Sequence, residues 1–245
     1  RPVGKGVPAK PTSQQKRTRH RLCMARSVPY GILQEMRQMK KVITIGREFG
    51  SGGREIGRRI AEKLQIAYYD QEIVTEIAKR TKLSEEYVER ITEDRPYMAY
   101  PVHAGMSFHT AYYAYTEFDR SLTVFAEQHN MIKELAERSD CVIVGRCADY
   151  ILKEKDPFRI FVYADAESKL KRCRERSPED ENLSDSKIRR NIRSIDKGRA
   201  RYYNYFSRQK WGARENYDLL INTSGKDVKQ LSEAVAGYLK RYLFE

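Results

Sequence analysis

Apolar positions after about residue 41 fall into two kinds of segment that alternate: short β-branched runs, and stretches in which apolar residues recur at helical spacing. Residues 42–45 form a first apolar run and predict a buried strand; after a polar, glycine-filled stretch, Ile56, Ile60, Ala61 and Leu64 predict a helix. A second strand is expected over 66–69, ending at Asp70, and helices over 73–79 and 84–93, the latter N-capped by Ser84 ahead of Glu85 and Glu86. Periodicity disappears over 94–115 among Pro, Gly, His and aromatic residues, which predicts a long loop, and returns over 117–138, where Leu122, Phe125, Ile132 and Leu135 share a face. Cys141–Val144 is a strand closed by Gly145 and Arg146. A strand at 159–163, a helix at Ala166–Arg176, a charged loop at 177–184, a basic helix at 186–203, a strand at 218–221 and a helix at Val228–Leu243 complete the pattern. Such alternation predicts an α/β fold of three layers, a parallel sheet with helices on both faces. Ligands of these sheets bind beyond the carboxyl ends of the strands, where Gly46, Asp70, Gly145 and Arg146 fall.

The stretch between the first strand and helix holds Gly46, Gly50, Gly52 and Gly53. Glycines let the chain curl with backbone N–H groups turned inward, and the helix that follows adds unpaired N–H groups and a partial positive charge. Together they predict an anion cradle, with phosphate the natural anion. A regular phosphate loop reads G-x-x-x-x-G-K-[ST]. Here six residues separate Gly46 from Gly53, Arg54 stands where lysine is expected, and Glu55 replaces the hydroxyl residue.

Charge alters the picture only at one end. The 245 residues carry a net charge of +13, but residues 1–40 hold ten Lys/Arg and one Glu, leaving 37 Lys/Arg against 33 Asp/Glu in the remainder. Residues 1–38 lack apolar periodicity and cannot bury enough surface to offset their ordering entropy. They are read as a basic extension, either sequence upstream of a start at Met39 or a true tail, with the domain spanning 39–245. Nucleic acid is expected to bind only non-specifically, through residues 1–40. The four cysteines, at 23, 141, 147 and 173, form no C-x-x-C pair, which fits reduced thiols in the cytoplasm. No apolar run approaches the roughly 18 residues of a membrane span. Nothing in the pattern specifies an oligomeric state.

Taken in order, Gly50-Ser51-Gly52-Gly53-Arg54-Glu55, Tyr69-Asp70, Val142 to Arg146, and Arg193-x-x-Asp196-x-x-Arg199 resemble the cytidylate kinase-like group of P-loop nucleoside monophosphate kinases, over about residues 40–245. The resemblance implies a P-loop kinase fold with a helical monophosphate-binding insertion at about 70–138 and a lid at about 172–186. It implies phosphoryl transfer from ATP, with Mg²⁺, to a small nucleotide: CMP, dCMP or a related acceptor. Gly50, Ser51, Gly52, Gly53, Arg54 and Glu55 then hold the donor phosphates. Arg54, Arg172 and Arg176 neutralise charge during transfer, as phosphoryl chemistry requires. Asp70, Arg146, Asp149, Arg193, Asp196 and Arg199 fall on the acceptor side.

This chain also departs from the group. Aligned without a gap, the P-loop lysine becomes Gly53; with a one-residue insertion Arg54 is its surrogate, the alignment preferred here, and is expected to point into the glycine loop. No hydroxyl residue remains for Mg²⁺, so Glu55, Asp70 or Asp149 must serve, or the nucleotide and water must hold the ion. On the acceptor side a tyrosine-arginine pair of the group is replaced by Asp70-Gln71-Glu72-Ile73, which leaves the acceptor open. Three readings remain: a kinase, a nucleotide sensor of the same fold without turnover, and a nucleic-acid binder. Retention of arginines on both sides favours the first.

Overall fold

The computed structural model describes residues 40–93, 108–176 and 183–245. The basic extension, most of the 94–115 loop and most of the 177–184 loop lie outside the described residues. Five strands, β1 (Val42–Arg47), β2 (Ala67–Tyr69), β3 (Cys141–Val144), β4 (Phe158–Tyr163) and β5 (Leu219–Asn222), form one parallel sheet in the order β2-β3-β1-β4-β5. The helices are α1 (Gly53–Leu64), α2 (Gln71–Thr81), α3 (Glu85–Glu93), α4 (Phe108–Arg138), a single turn α5 (Ala148–Ile151), α6 (Ala166–Arg176), α7 (Asp185–Ser207) and α8 (Val228–Leu243).

β1, β2 and β3 feed two cores because successive side chains leave opposite faces of the pleat. Val42, Cys141 and Ile143 join Ile73, Ile77, Ile132 and Tyr202 beneath α2, α4 and α7. Ile43, Ile45, Val142 and Val144 join Ile56, Ile60, Val235 and Leu239 beneath α1 and α8. Ile56 and Ile60 have no exposed surface, and each stabilises the fold by roughly 1.5–3 kcal/mol through that burial. A third, smaller cluster of Leu170, Ile188 and Ile192 joins α6 to α7 and receives Phe49 from the loop after β1.

The expected elements are present, with one substantial correction. α4 begins at Phe108, nine residues before the predicted start at 117. No Gly or Pro interrupts 108–116, so nothing breaks the helix there; only the apolar repeat is missing. Ser84 caps α3 as expected, accepting the Tyr87 N–H at 3.2 Å. Asp70 occupies the N-cap position of α2 yet makes no capping bond with its side chain.

Central placement of β1 sets up the site. β3 lies on one side of β1 and β4 on the other, with Ile45 opposite Val144 and Arg47 opposite Val162, so the loops after all three strands open at one end of the sheet. Close approach there depends on glycine: a Cβ at Gly145, where φ is +71°, would overlap Arg47 Nη1 outright. Gly145→Ala is expected to lower unfolding free energy by roughly 1–3 kcal/mol. In contrast Gly237, helical and with open space around its would-be Cβ, should gain roughly 0.5–1 kcal/mol as Gly237→Ala. Denaturant unfolding of the two variants tests both signs.

Candidate functional site

The chain leaves β1 through Arg47, Glu48, Phe49, Gly50, Ser51 and Gly52. Gly50 and Gly52 take left-handed φ values of 72° and 83°, and Ser51 is buried with both its N–H (3.3 Å) and its Oγ (2.7 Å) bonded to the Glu48 carbonyl. Thr223, after β5, grips the loop from outside by donating to the Ser51 carbonyl at 2.8 Å. Gly52 offers α1 no side-chain cap, and no hydrogen bond among the described residues uses the amides of Gly53, Arg54 or Glu55. Three amides at the positive end of a helix dipole, without an internal acceptor, are the donors that an anion site requires.

Cations surround this cradle, and each is engaged. Arg172 donates to the Gly50 carbonyl at 3.3 Å and to the Thr223 carbonyl; burial, then the neighbouring Arg176, holds its pKa below the ordinary value. Arg176 pairs with Glu55, whose other oxygen lies 2.9 Å from Arg59. The magnesium candidate Glu55 therefore faces two guanidiniums. Arg54 corrects the sequence expectation: its Nε sits 2.7 Å from Asp70 Oδ2 instead of turning into the loop. Asp70 is 6% exposed, and a carboxylate so far from water draws the nearest cation strongly.

On the outer side of the loop a lysine that sequence reasoning missed holds two carboxylates. Lys169 of α6 lies 2.8 Å from both Glu48 and Asp196. Burial alone would lower its pKa, but the bonds to Asp196 and Glu48 outweigh that and raise it. Asp196 of α7 also accepts the Phe49 N–H at 2.7 Å, and the Arg199 guanidinium stands 5.7 Å over the Phe49 ring. Asp196 thus clips the loop backbone and does not join Arg146. Arg193 is exposed beside it, on a groove between α6 and α7.

Arg146 and Arg199 do converge. They line a cavity of about 30 Å³ at the carboxyl ends of β1 and β3, together with Arg47, Asp149, Tyr203 and Trp211. Arg146 is buried with φ +57° and bonds Thr92, while Gln128 donates to its carbonyl at 2.9 Å. Asp149 accepts from the Tyr203 hydroxyl at 2.6 Å, and burial pushes its pKa up. Arg47, absent from the expected site, is buried over Gly145 with Nη2 at 3.8 Å from Asp70. A charge placed directly after an apolar strand singled out Arg146, and the same signal at β1 points to Arg47.

Residues 42–225 match the sequence model of the cytidylate kinase-like family. The chain belongs to the cytidylate kinase-like family. A search of curated proteins finds no match. Among solved structures, an uncharacterized protein from Eubacterium ventriosum ATCC 27560 is 26% identical with a TM-score of 0.59, covering 82% of this chain and 99% of its own. Shikimate kinase from Bacteroides thetaiotaomicron is 17% identical with a TM-score of 0.48, covering 83% and 98%. Shikimate kinase from Acinetobacter baumannii in complex with shikimate is 16% identical with a TM-score of 0.46, covering 86% and 99%.

Membership of the cytidylate kinase-like family and the five-stranded parallel sheet give this chain a P-loop kinase fold. No helix among the described residues is long and apolar enough to cross a membrane. Nor does any group of three or more His, Cys, Asp or Glu there have the arrangement of a metal site.

Two outcomes follow from the ionisable groups. Asp196→Ala removes an acceptor from Lys169 and from the Phe49 amide, and should cost roughly 2–4 kcal/mol of stability by denaturant unfolding. For Asp149 the folded pKa lies above the ordinary 3.8. Between those two values the folded chain holds a proton that the unfolded chain has released, so this group's contribution to stability falls as pH rises through that window. Asp149→Asn keeps an acceptor for Tyr203, and its melting temperature should therefore decline less than the parent's from about pH 4 upward.

Proposed function

We propose that this family member transfers the terminal phosphoryl group of ATP to a small acceptor, with CMP, dCMP and related small molecules as the candidates. The observation that carries this reading is that two cationic sites flank one glycine loop. On one side lie the open amides of α1 with Arg172 and Arg176; on the other lies the cavity of Arg47, Arg146 and Arg199. A protein that only sensed a nucleotide would have no use for the second.

The residues fit a triphosphate. The amides of Gly53, Arg54 and Glu55 offer donors, and Arg172 and Arg176 stand within reach of charge that develops on the transferred oxygens. Arginine's planar fork suits that work, and Arg176 has only to exchange the Glu55 carboxylate for a phosphate. For Mg²⁺ the fit is looser. Glu55, Asp70 and Asp149 face Arg59 and Arg176, Arg54, and Tyr203 respectively. A bound ion would therefore be held chiefly by phosphate oxygens and water, and Glu55 would be the carboxylate to join them if Arg176 exchanged it for a phosphate. Arg47, Arg146 and Arg199 take the acceptor's anionic group, and Asp149 orients it. Arg193 lies outside this cavity and has no part in it.

The sensor reading draws on Arg54, whose side chain is committed to Asp70 and leaves no basic residue in the lysine's usual place. A coupled ADP-release assay with Mg-ATP over all common nucleoside monophosphates and a panel of small hydroxylated anions separates the two. Turnover with one class is expected; tight ATP binding with no turnover on any acceptor would establish the sensor. Arg199→Ala should raise the acceptor's KM or depress kcat by roughly 10- to 100-fold while leaving ATP affinity unchanged.

A further inference from the structure

Asp70 is a buried carboxylate at the loop whose surroundings are incomplete. It stands at the N-cap position of α2 but caps nothing, and it is 6% exposed. Its Oδ2 is held by Arg54 at 2.7 Å, whereas its Oδ1 is buried with no hydrogen-bond partner, 3.8 Å from Arg47 Nη2. Arg54 belongs to the helix N-terminus that offers open amides, and Arg47 lines the cavity of three arginines. Asp70 is therefore in contact with both halves of the site. A buried carboxylate oxygen without a donor is costly, and it is satisfied by a ligand that brings one. A hydroxyl brings a donor. In a nucleoside monophosphate the accepting atom is itself a phosphate oxygen, which carries the same charge as Asp70 and has no proton for it at neutral pH; the sugar hydroxyls and base amines that could donate stand away from the reacting phosphate.

We infer that the phosphoryl acceptor is a hydroxyl group, on a small molecule that carries a separate anionic group for Arg47, Arg146 and Arg199, and that Asp70 is the catalytic base. This rests on the phosphotransferase reading above. The acceptor oxygen forms its bond to the γ-phosphorus as the bond from that phosphorus to the β,γ-bridging oxygen breaks. ADP leaves with that electron pair, and the hydroxyl proton passes to Asp70 Oδ1 and from there to water. The acceptor class is thus a hydroxylated carboxylate or a phosphorylated alcohol, and the product is a phosphate monoester in place of a nucleoside diphosphate.

The full chain is incubated with Mg-ATP and three sets of acceptors: hydroxylated carboxylates, sugar and polyol phosphates, and nucleoside monophosphates. Phosphorus NMR of the products reads the new linkage, since a monoester and a diphosphate resonate apart. A new monoester supports the inference, and the first two sets identify which anionic group the cavity takes. Asp70→Asn should lower kcat by about 100-fold or more, with acceptor and ATP dissociation constants by calorimetry within about threefold of the parent's. A diphosphate product from a nucleoside monophosphate overturns the inference and leaves the kinase reading standing. So does a folded Asp70→Asn protein that turns over at the parental rate. Absence of transfer to any acceptor, with ATP bound, overturns both. The product linkage is read on the unsubstituted protein and does not depend on the variant folding.

Discussion

A buried lysine between two carboxylates ties the glycine loop to the helices behind it. Lys169 brings Glu48 of the loop and Asp196 of α7 to the same ammonium, and Asp196 uses its second oxygen on the Phe49 amide. Phe49 is thereby seated on the small apolar cluster of Leu170, Ile188 and Ile192. Without that tie the loop would keep its internal turn, its bonds to Val162 and Thr223 and the contact from Arg172, but would lose its anchor on α7. Arg199, one helical turn beyond Asp196 on the same helix, reaches the cavity.

Electrostatically the site is neutral in detail though basic in sum. Arg54 is matched by Asp70, Arg176 and Arg59 by Glu55, and Lys169 by Glu48 and Asp196. A phosphate entering such a site exchanges one anionic partner for another, so little charge has to be stripped of its solvation at the moment of binding. The two arginines on α6 differ in this respect. Arg172 is fixed to backbone carbonyls and is part of the loop's construction, while Arg176 is exposed, meets a half-buried carboxylate and is free to change partner.

Much of the fold was legible in the sequence because apolar alternation in the strands and helical spacing in α1, α2, α6 and α8 report burial directly. The start of α4 was not, because residues 108–116 carry aromatic and small residues without a repeating apolar face. At the site, Arg146 was legible from its place at the end of an apolar strand, and Arg199 from the family pattern. Asp196 was found but given the wrong neighbour: helical spacing shows which residues share a face and says nothing about what that face meets. Lys169 lies in a helix crowded with basic residues, where nothing local distinguishes a buried cation from solvated ones. Arg54 was read without its competitor, since the burial of Asp70 is a property of the assembled sheet.

The bonds that hold the loop also set when it can form. Phe49 is fastened by a residue 147 positions later in the chain, and Ser51 by one 172 positions later. β1 likewise pairs with strands that begin about a hundred residues beyond it. Closing loops of that length is slow, because the chain's entropy is lost before the contacts return it. During synthesis the glycine stretch therefore emerges well before the segments that give it its shape. It waits for α7 and β5, so a nascent or truncated chain carries the motif without the cradle.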